Sequence, residues 1–141
     1  MTINFNQIFI CFLIICLSLF LSYFSSQIIF KRRMSSEYSV CFTTVSNDEI
    51  AKKLARSIVE SELGACVNII PNIRSIYKWQ SKIEEDQEYL LMIKTKQDLV
   101  QQLIEFVKKN HPYQVPELIQ LPIQNGNPDY LNWINSVVKQ N

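Results

Sequence analysis

The sequence predicts an α+β domain in which strands and helices follow the order β-α-β-β-α-β, with one further helix at the C-terminal end. Three observations predict this order. Apolar residues alternate along some runs, recur at three- and four-residue spacing along others, and each run is bounded by turn or capping residues. We expect the domain to cover residues 35–141, after an N-terminal hydrophobic segment with a basic flank at residues 1–34.

The first strand and the first helix open the domain. Tyr38–Val45 alternates and is rich in β-branched and aromatic residues, which indicates a strand. Ser46–Glu49 has the S-x-x-E form of a capping box, and Gly64 occupies the position of a C-terminal cap. The helix between them has an apolar stripe formed by Ile50, Leu54, Ala55, Ile58, Val59 and Leu63.

The run Cys66–Thr95 predicts a long β-hairpin, since two apolar, β-branched segments flank a charged turn at residues 80–82. Tyr77 and Trp79 share one strand face just before the turn. Acidic residues follow the turn at Glu84, Glu85, Asp86 and Glu88. The hairpin is longer than the core of one small domain needs, so we expect another subunit to cover it.

The second half of the domain contains a helix, a strand and a last helix. Thr95–Asp98 opens the helix, and Lys108 and Lys109 complement its negative end before Pro112 stops it. Ile119–Ile123 alternates apolar and polar residues, which predicts a strand with one buried face.

The proline and asparagine residues of this region give two further expectations. Pro122 cannot donate a ladder hydrogen bond and therefore places the strand at an edge or a bulge. Asn127 followed by Pro128 is typical of the start of a helix. The full order of elements is that of the ferredoxin-like fold, an antiparallel sheet with two helices on one face.

Composition excludes several classes of function. The region from Ser35 onward carries 11 basic and 13 acidic residues, without the basic footprint of a nucleic-acid binder. Two glycines are too few for a Gly-rich phosphate loop, so we expect no nucleotide cofactor. Cys41 and Cys66 are expected to be buried free thiols. No nucleophile–base pair can be placed around the single histidine, and we predict that the protein is not an enzyme.

The N-terminal segment Ile8–Phe30 is long and apolar enough to span a bilayer as a helix. Lys31–Arg33 follows it, and by the positive-inside rule this asymmetry favours the cytoplasmic side for the domain. A retained single-pass membrane anchor is the favoured interpretation. Two others are open: a cleaved signal peptide with its core at Ile8–Leu21, which sends the protein into the secretory pathway, and a cytoplasmic form that starts at Met34.

Five segments in order along the domain resemble the CutA divalent-cation tolerance family. They are Gly64–Pro71, Ile76–Trp79, Lys82–Glu84, His111–Glu117 and Pro128–Ile134. The resemblance, to a membrane-anchored, eukaryotic-type member, implies a tight homotrimer similar to the PII signalling proteins, in which hairpin strands pair across subunits. It also implies binding of copper or another divalent cation. For animal members it implies a role in anchoring or assembling acetylcholinesterase at membranes.

The resemblance also implies which residues bind metal. The copper site of bacterial members uses a first-strand cysteine and two adjacent histidines. Here Thr43 holds the matching strand position with Cys41 two residues earlier, and Asn110–His111 replaces the histidine pair. The candidate metal ligands from this resemblance are His111 and Cys41. Glu117 is added because its carboxylate offers a hard oxygen ligand. Alternatively, His111 ends the second helix and hydrogen-bonds its carbonyl groups.

A second set of candidate residues is expected at a cleft or a subunit interface. Tyr77 and Trp79 either stack on a small ligand or pack between subunits. The acidic residues after the turn either bind cations or discourage unwanted strand pairing. The whole set is Tyr77, Trp79, Lys82, Glu84, Tyr113 and Trp133. The function predicted is a trimeric protein that binds divalent metal or a small ligand; the alternative is a membrane-tethered scaffold for a partner protein.

Overall fold

The computed structural model describes residues 14–23 and 36–140. The chain divides into two units with the boundary after Ser35, and each unit is described by itself. In the first unit, residues 14–23 form helix α1. The second unit contains all the strands described below.

The predicted membrane anchor Ile8–Phe30 lies only in part within the described residues. Its described part, residues 14–23, is helical. No helix within residues 14–23 and 36–140 combines the length and the apolar character needed to cross a bilayer. This finding contradicts the predicted single-pass membrane localisation. The alternative start at Met34 and any cleavage site after residue 23 lie outside the described residues.

The second unit has an α+β fold, as predicted, built on an antiparallel sheet of four strands in the order β2-β3-β1-β4. A short 3-10 helix at Gln97–Leu99 joins β3 to α3. Helices α2 and α3 pack on one face of the sheet. The elements are β1 Tyr38–Val45, α2 Asp48–Glu60, β2 Cys66–Trp79, β3 Lys82–Lys96, α3 Val100–Asn110, β4 Ile119–Pro122 and α4 Pro128–Val137.

Two groups of buried side chains hold the second unit together. The larger one lies between the sheet and helices α2 and α3, where Ile58, Leu91, Ile93 and Leu103 are fully buried. The smaller one attaches α4 and consists of Tyr38, Ala65, Leu99, Ile134 and Val138. Burial of these apolar groups is the main stabilising contribution to the fold.

The ends of α2 differ from the predicted ones. Asn47, in extended backbone, is the N-cap, and its side chain accepts a hydrogen bond from the N–H of Ile50; the predicted capping box at Ser46 is wrong. Gly64 has no positive φ, and the left-handed residue after the helix is Glu62. Gly64 is needed for space instead, because a Cβ there would lie 2.8 Å from a methyl carbon of Ile58.

The start of the second predicted helix is also later than expected. Thr95 belongs to β3 and pairs with Ser39 of β1, so pairing with β1 extends β3 beyond the predicted helix start. The Thr95 hydroxyl donates to the carbonyl of Leu63, a contact within the fold and not a helix cap. The helix proper begins at Val100 and ends at Asn110.

Strand β4 lies at the edge of the sheet, as Pro122 predicts. Its register places Ile119 and Leu121 opposite Phe42 and Val40. These residues lie on the sheet face opposite to Cys41, which packs beneath the helices. Ile119 and Leu121 are exposed, and the predicted buried face of β4 is wrong for a single subunit because no helix within residues 36–140 packs on it.

The hairpin of β2 and β3 is confirmed and has two parts. Near the core, β2 pairs with β3 as far as Ile70, and the register then shifts between Ile70 and Ile73. Asn72 adopts a positive φ of 62° within this bulge. A bulge bends the strand and increases its twist. The part beyond it, residues 73–88, is called the distal hairpin below.

Candidate functional site

A cleft of about 580 Å³ lies between the distal hairpin and the loop that follows α3. This volume is within the ordinary range for small-ligand pockets. The hairpin provides one wall, the loop of residues 112–117 provides the other, and β1 contributes one residue. The lining residues are Thr44, Ser75, Tyr77, Trp79, Glu88, Pro112, Tyr113, Gln114, Val115 and Glu117.

Glu88 is the buried carboxylate of this cleft, with only 5% of its surface exposed. The Ser75 hydroxyl donates to one carboxylate oxygen at 2.6 Å, and the Tyr113 hydroxyl donates to the other at 2.8 Å. Both donors are neutral. Within the described part of the chain, no Lys or Arg forms an ion pair with Glu88. Glu88 was grouped with the exposed turn acids in the sequence, and it is the main residue that the sequence analysis missed.

His111 holds the loop in place. Its Nδ1 accepts the N–H of Tyr113 at 3.1 Å and is therefore unprotonated, so Nε2 carries the hydrogen and donates it to the carbonyl of Thr44 at 2.9 Å. Burial lowers the pKa of His111, which favours this neutral form. Since both nitrogens are engaged, binding of a metal to His111 requires one of these hydrogen bonds to break. The alternative role predicted for His111 was to end the second helix and hydrogen-bond its carbonyl groups. The backbone N–H of His111 does donate to the carbonyl of Val107, but its ring donates to the carbonyl of Thr44 on β1.

The aromatic side chains Tyr77, Trp79 and Tyr113 form the walls of the cleft. Tyr77 donates its hydroxyl to Asp86 at 2.6 Å, and this hydrogen bond is the main cause that raises the pKa of Tyr77 to about 12. Burial, followed by the hydrogen bond to Glu88, raises the pKa of Tyr113 to about 12. Both phenols therefore keep their hydrogens at neutral pH and act as donors.

Glu117 adds a second carboxylate to the cleft. Its pKa is raised, first by desolvation and second by the charge of Glu88. Among the described residues that line the cleft, none is Lys, Arg or His. The cleft is therefore acidic, with aromatic walls.

The other candidate residues lie elsewhere. Cys41 is fully buried beneath the helices, and burial raises the pKa of its thiol to about 11. Lys82 and Glu84 are exposed, directly opposite Trp79 and Tyr77 in the hairpin, and are not part of the cleft lining. Trp133 is on α4, where its ring centre lies 5.3 Å from that of Tyr130. Across residues 14–23 and 36–140, no cluster of three or more His, Cys, Asp or Glu side chains is arranged to hold a metal ion.

The comparison with protein families and the comparison with individual proteins agree with each other. The family model of the CutA1 divalent ion tolerance protein matches residues 39–137. The chain is 54% identical over 101 residues to Protein CutA of Mus musculus, a match that covers 72% of this chain and 57% of the mouse protein. It is 48% identical over 95 residues to the divalent-cation tolerance protein CutA of Thermus thermophilus, covering 67% of this chain and 92% of that protein.

Solved structures agree with the sequence comparisons. The crystal structure of CutA1 from Oryza sativa has a TM-score of 0.73 and 46% identity to this chain, over 76% of this chain and 98% of the rice chain. The divalent cation tolerance protein from Thermus thermophilus gives a TM-score of 0.70 at 45% identity, over 72% of this chain and 99% of that chain.

Proposed function

Because the chain belongs to the CutA1 divalent ion tolerance family, we propose that it is a non-enzymatic homotrimer that binds a divalent cation in the acidic cleft. The observation that carries this proposal is Glu88, a buried carboxylate whose partners within the described residues are neutral hydroxyl groups. A buried charge without an opposite charge is costly, and a bound cation removes that cost.

The donor atoms of the cleft favour a particular kind of metal. Glu88 and Glu117 offer carboxylate oxygens, and Ser75 and Thr44 offer hydroxyl oxygens. Oxygen donors suit hard cations such as Mn²⁺ and Mg²⁺, whereas copper prefers nitrogen or sulfur. Copper is the cation that the sequence resemblance implies, and within one chain its binding requires His111 to give up a hydrogen bond. The hard cation is therefore the first proposal and copper the second.

Trimer formation is supported by apolar side chains that one subunit leaves open. Ile76 and Ile83 of the distal hairpin are 67% and 71% exposed, and Ile119 and Leu121 are exposed on β4. An exposed apolar surface of this kind marks a protein interaction site. Coverage by two further copies of the chain is the arrangement that we propose. The alternative function, a membrane-tethered scaffold, depended on the membrane anchor and is not proposed.

The test is calorimetric titration of the metal-free protein with Mn²⁺ and, separately, with Cu²⁺. Glu88→Gln is expected to lose Mn²⁺ binding, while Glu84→Gln, an exposed acid outside the cleft, serves as the matched control. Analytical ultracentrifugation of the same samples is expected to give three times the chain mass. Absence of binding by the unmodified protein, or equal binding by both variants, contradicts the cation site, and a monomer mass contradicts the trimer.

A further inference from the structure

Binding of a small metal ion does not account for the aromatic walls of the cleft. A hard divalent cation is bound by oxygen atoms and retains water molecules, so it gains little from rings. Yet three aromatic side chains from two separate parts of the chain, Tyr77, Trp79 and Tyr113, line the same cleft as Glu88. Within one subunit Tyr77 and Trp79 are 42% and 43% exposed, so part of each ring is not covered by the side chains of its own subunit.

We propose that the cleft binds a small organic ammonium cation, with its charged nitrogen at Glu88 and its apolar body against Tyr77, Trp79 and Tyr113. Aromatic faces attract organic cations through their quadrupole, and Trp is the most effective ring. The carboxylate supplies the opposite charge. The combination of acid and aromatic rings selects for a cation that also has hydrocarbon surface.

The hydrogen bonds around Glu88 leave room for this contact. Each carboxylate oxygen has about two acceptor positions, and Ser75 and Tyr113 each use one. Among the described residues no further hydrogen bond to the Glu88 carboxylate is found, so the other positions can accept from an ammonium group or lie against a quaternary one. The same two bonds fix the carboxylate, so little order has to be gained when the ligand binds.

Two of the three rings, Tyr77 and Tyr113, are held by contacts within the chain. Tyr77 is held by its hydrogen bond to Asp86, which lies diagonally across the hairpin. Tyr113 is held by Glu88 at its hydroxyl and by an edge contact with His111 at a ring-centre distance of 4.9 Å. Pre-positioned rings of this kind are what a cation-binding pocket requires.

The charge of the lining residues excludes the opposite class of ligand. With two carboxylates and, among the described lining residues, no basic side chain, the cleft repels anions such as nucleotides or carboxylic acids. A neutral aromatic compound gains contact with the rings but leaves Glu88 without a charged partner. The inference shares Glu88 with the proposed divalent-cation function, but it does not require that a metal binds.

The test uses the full chain and benzyltrimethylammonium as the probe, with neutral benzyl alcohol and anionic benzoate as matched aromatic compounds. The chain has two tryptophans, so Trp133→Phe leaves Trp79 as the sole reporter of fluorescence. Saturable change of Trp79 emission with the ammonium compound, and none with the other two, is the expected result. No saturable change with the ammonium compound overturns the inference.

Variants and competition separate this inference from the divalent-cation site. In calorimetry, Glu88→Gln is expected to weaken ammonium binding about tenfold, as for loss of one charged contact. Trp79→Leu is expected to lower the ratio of ammonium affinity to Mn²⁺ affinity about fivefold. Trp79 is a surface residue of the hairpin, so this variant remains informative if Glu88→Gln does not fold. Ammonium binding that neither variant changes also overturns the inference.

The two ligands are expected to compete, because both use Glu88. Binding of Mn²⁺ without ammonium binding overturns the inference and leaves the divalent-cation function standing. Ammonium binding without Mn²⁺ binding supports the inference and contradicts the divalent-cation function. Binding of both with mutual displacement supports both proposals, and binding of both without displacement overturns the shared site at Glu88.

Discussion

The hydroxyl of Tyr113 donates a hydrogen bond of 2.8 Å to the carboxylate of Glu88 and so joins the loop after α3 to the distal hairpin. The two residues are 25 positions apart in the chain. This bond closes one side of the cleft. It also gives a buried carboxylate one of its two neutral donors, the other being Ser75.

Replacing Tyr113 by Phe is expected to destabilise the protein, because one oxygen of buried Glu88 loses its donor. The expected loss is about 1–3 kcal/mol in the free energy of unfolding. Tyr77→Phe is the matched control, since it removes a hydroxyl bound to the exposed Asp86 and should have little effect. Urea unfolding at one fixed protein concentration measures both. Equal effects of the two variants contradict a special role for Glu88.

Stability is expected to fall as the pH is lowered past the ordinary pKa of histidine, 6.5, because burial lowers the pKa of folded His111 below that value. Between the two pKa values the unfolded chain binds more protons than the folded one, so the free energy of unfolding decreases with decreasing pH. Above the ordinary pKa this contribution to stability is fully present.

The chain has one histidine, so NMR titration of its imidazole reports on His111 alone. Urea unfolding with a chelator, at about pH 7.5 and about pH 5.5, measures the effect on stability across the range of the histidine pKa. His111→Gln is the control and is expected to reduce the difference between the two pH values. A folded-state pKa at or above the ordinary value refutes the buried neutral imidazole.

Gly64→Ala is expected to destabilise the protein although the backbone there is ordinary. The added Cβ would lie 2.8 Å from Ile58 and 2.9 Å from Ile93, both fully buried. Overpacking of this kind costs about 1–3 kcal/mol. Gly126→Ala, whose Cβ would meet Leu131 at an ordinary 3.5 Å, is the control and should be neutral. Thermal unfolding compares the two, and equal melting temperatures contradict the packing role.

Asn47→Ala is expected to destabilise α2 by about 1 kcal/mol, the usual value of a helix N-cap. Its side chain accepts the N–H of Ile50 at 2.9 Å. Ser46→Ala tests the capping box that the sequence pattern indicated; it removes only a side-chain hydrogen bond to Tyr113 and is expected to cost less than Asn47→Ala. Chemical unfolding of the two variants decides between the caps, and a larger loss for Ser46→Ala would restore the sequence prediction.

Ser81→Gly is expected to stabilise the hairpin by up to about 1 kcal/mol, because a side chain disfavours positive φ. Gln80 and Ser81 form the two-residue turn with φ values of 45° and 68°, the pattern of a type I′ turn, which prefers glycine. Ser81→Ala keeps a Cβ and is not expected to stabilise. The melting temperatures of both variants measure the effect. An increase with Ala as large as that with Gly contradicts the explanation by positive φ.

Local patterns in the sequence predicted much of the fold. Strand β1 has the predicted bounds Tyr38–Val45, and α4 begins at the predicted Asn127–Pro128 cap. These features depend on residues that are close together in the sequence, so a pattern of a few positions is enough to predict them. Gly64 shows the limit of this reasoning. Glycine after a helix is usually needed for a left-handed backbone conformation. Here Gly64 is needed because a Cβ would collide with Ile93, which is distant in sequence.

The candidate site was predicted in part. Tyr77, Trp79, Tyr113 and Glu117 lie together at the cleft, although no local pattern brings the hairpin and the loop together. Glu88 was missed because four acids after a turn are typical of an exposed strand end. Its hydrogen bond with Tyr113 comes from a loop that His111 attaches to β1, a contact between distant parts of the chain. The hairpin register, which sets Glu88 near Ser75, was the signal available in the sequence.

The bulge at Asn72 separates a hairpin base held in the sheet from a distal ribbon of two strands. An isolated two-stranded ribbon is at best marginally stable in water, so the ribbon opens locally unless other groups cover it. Tyr77 and Trp79 are on this ribbon. If subunits cover it, amide hydrogens of the ribbon exchange more slowly as protein concentration rises. Assembly and ligand affinity are then thermodynamically linked, and dilution alone weakens the cleft.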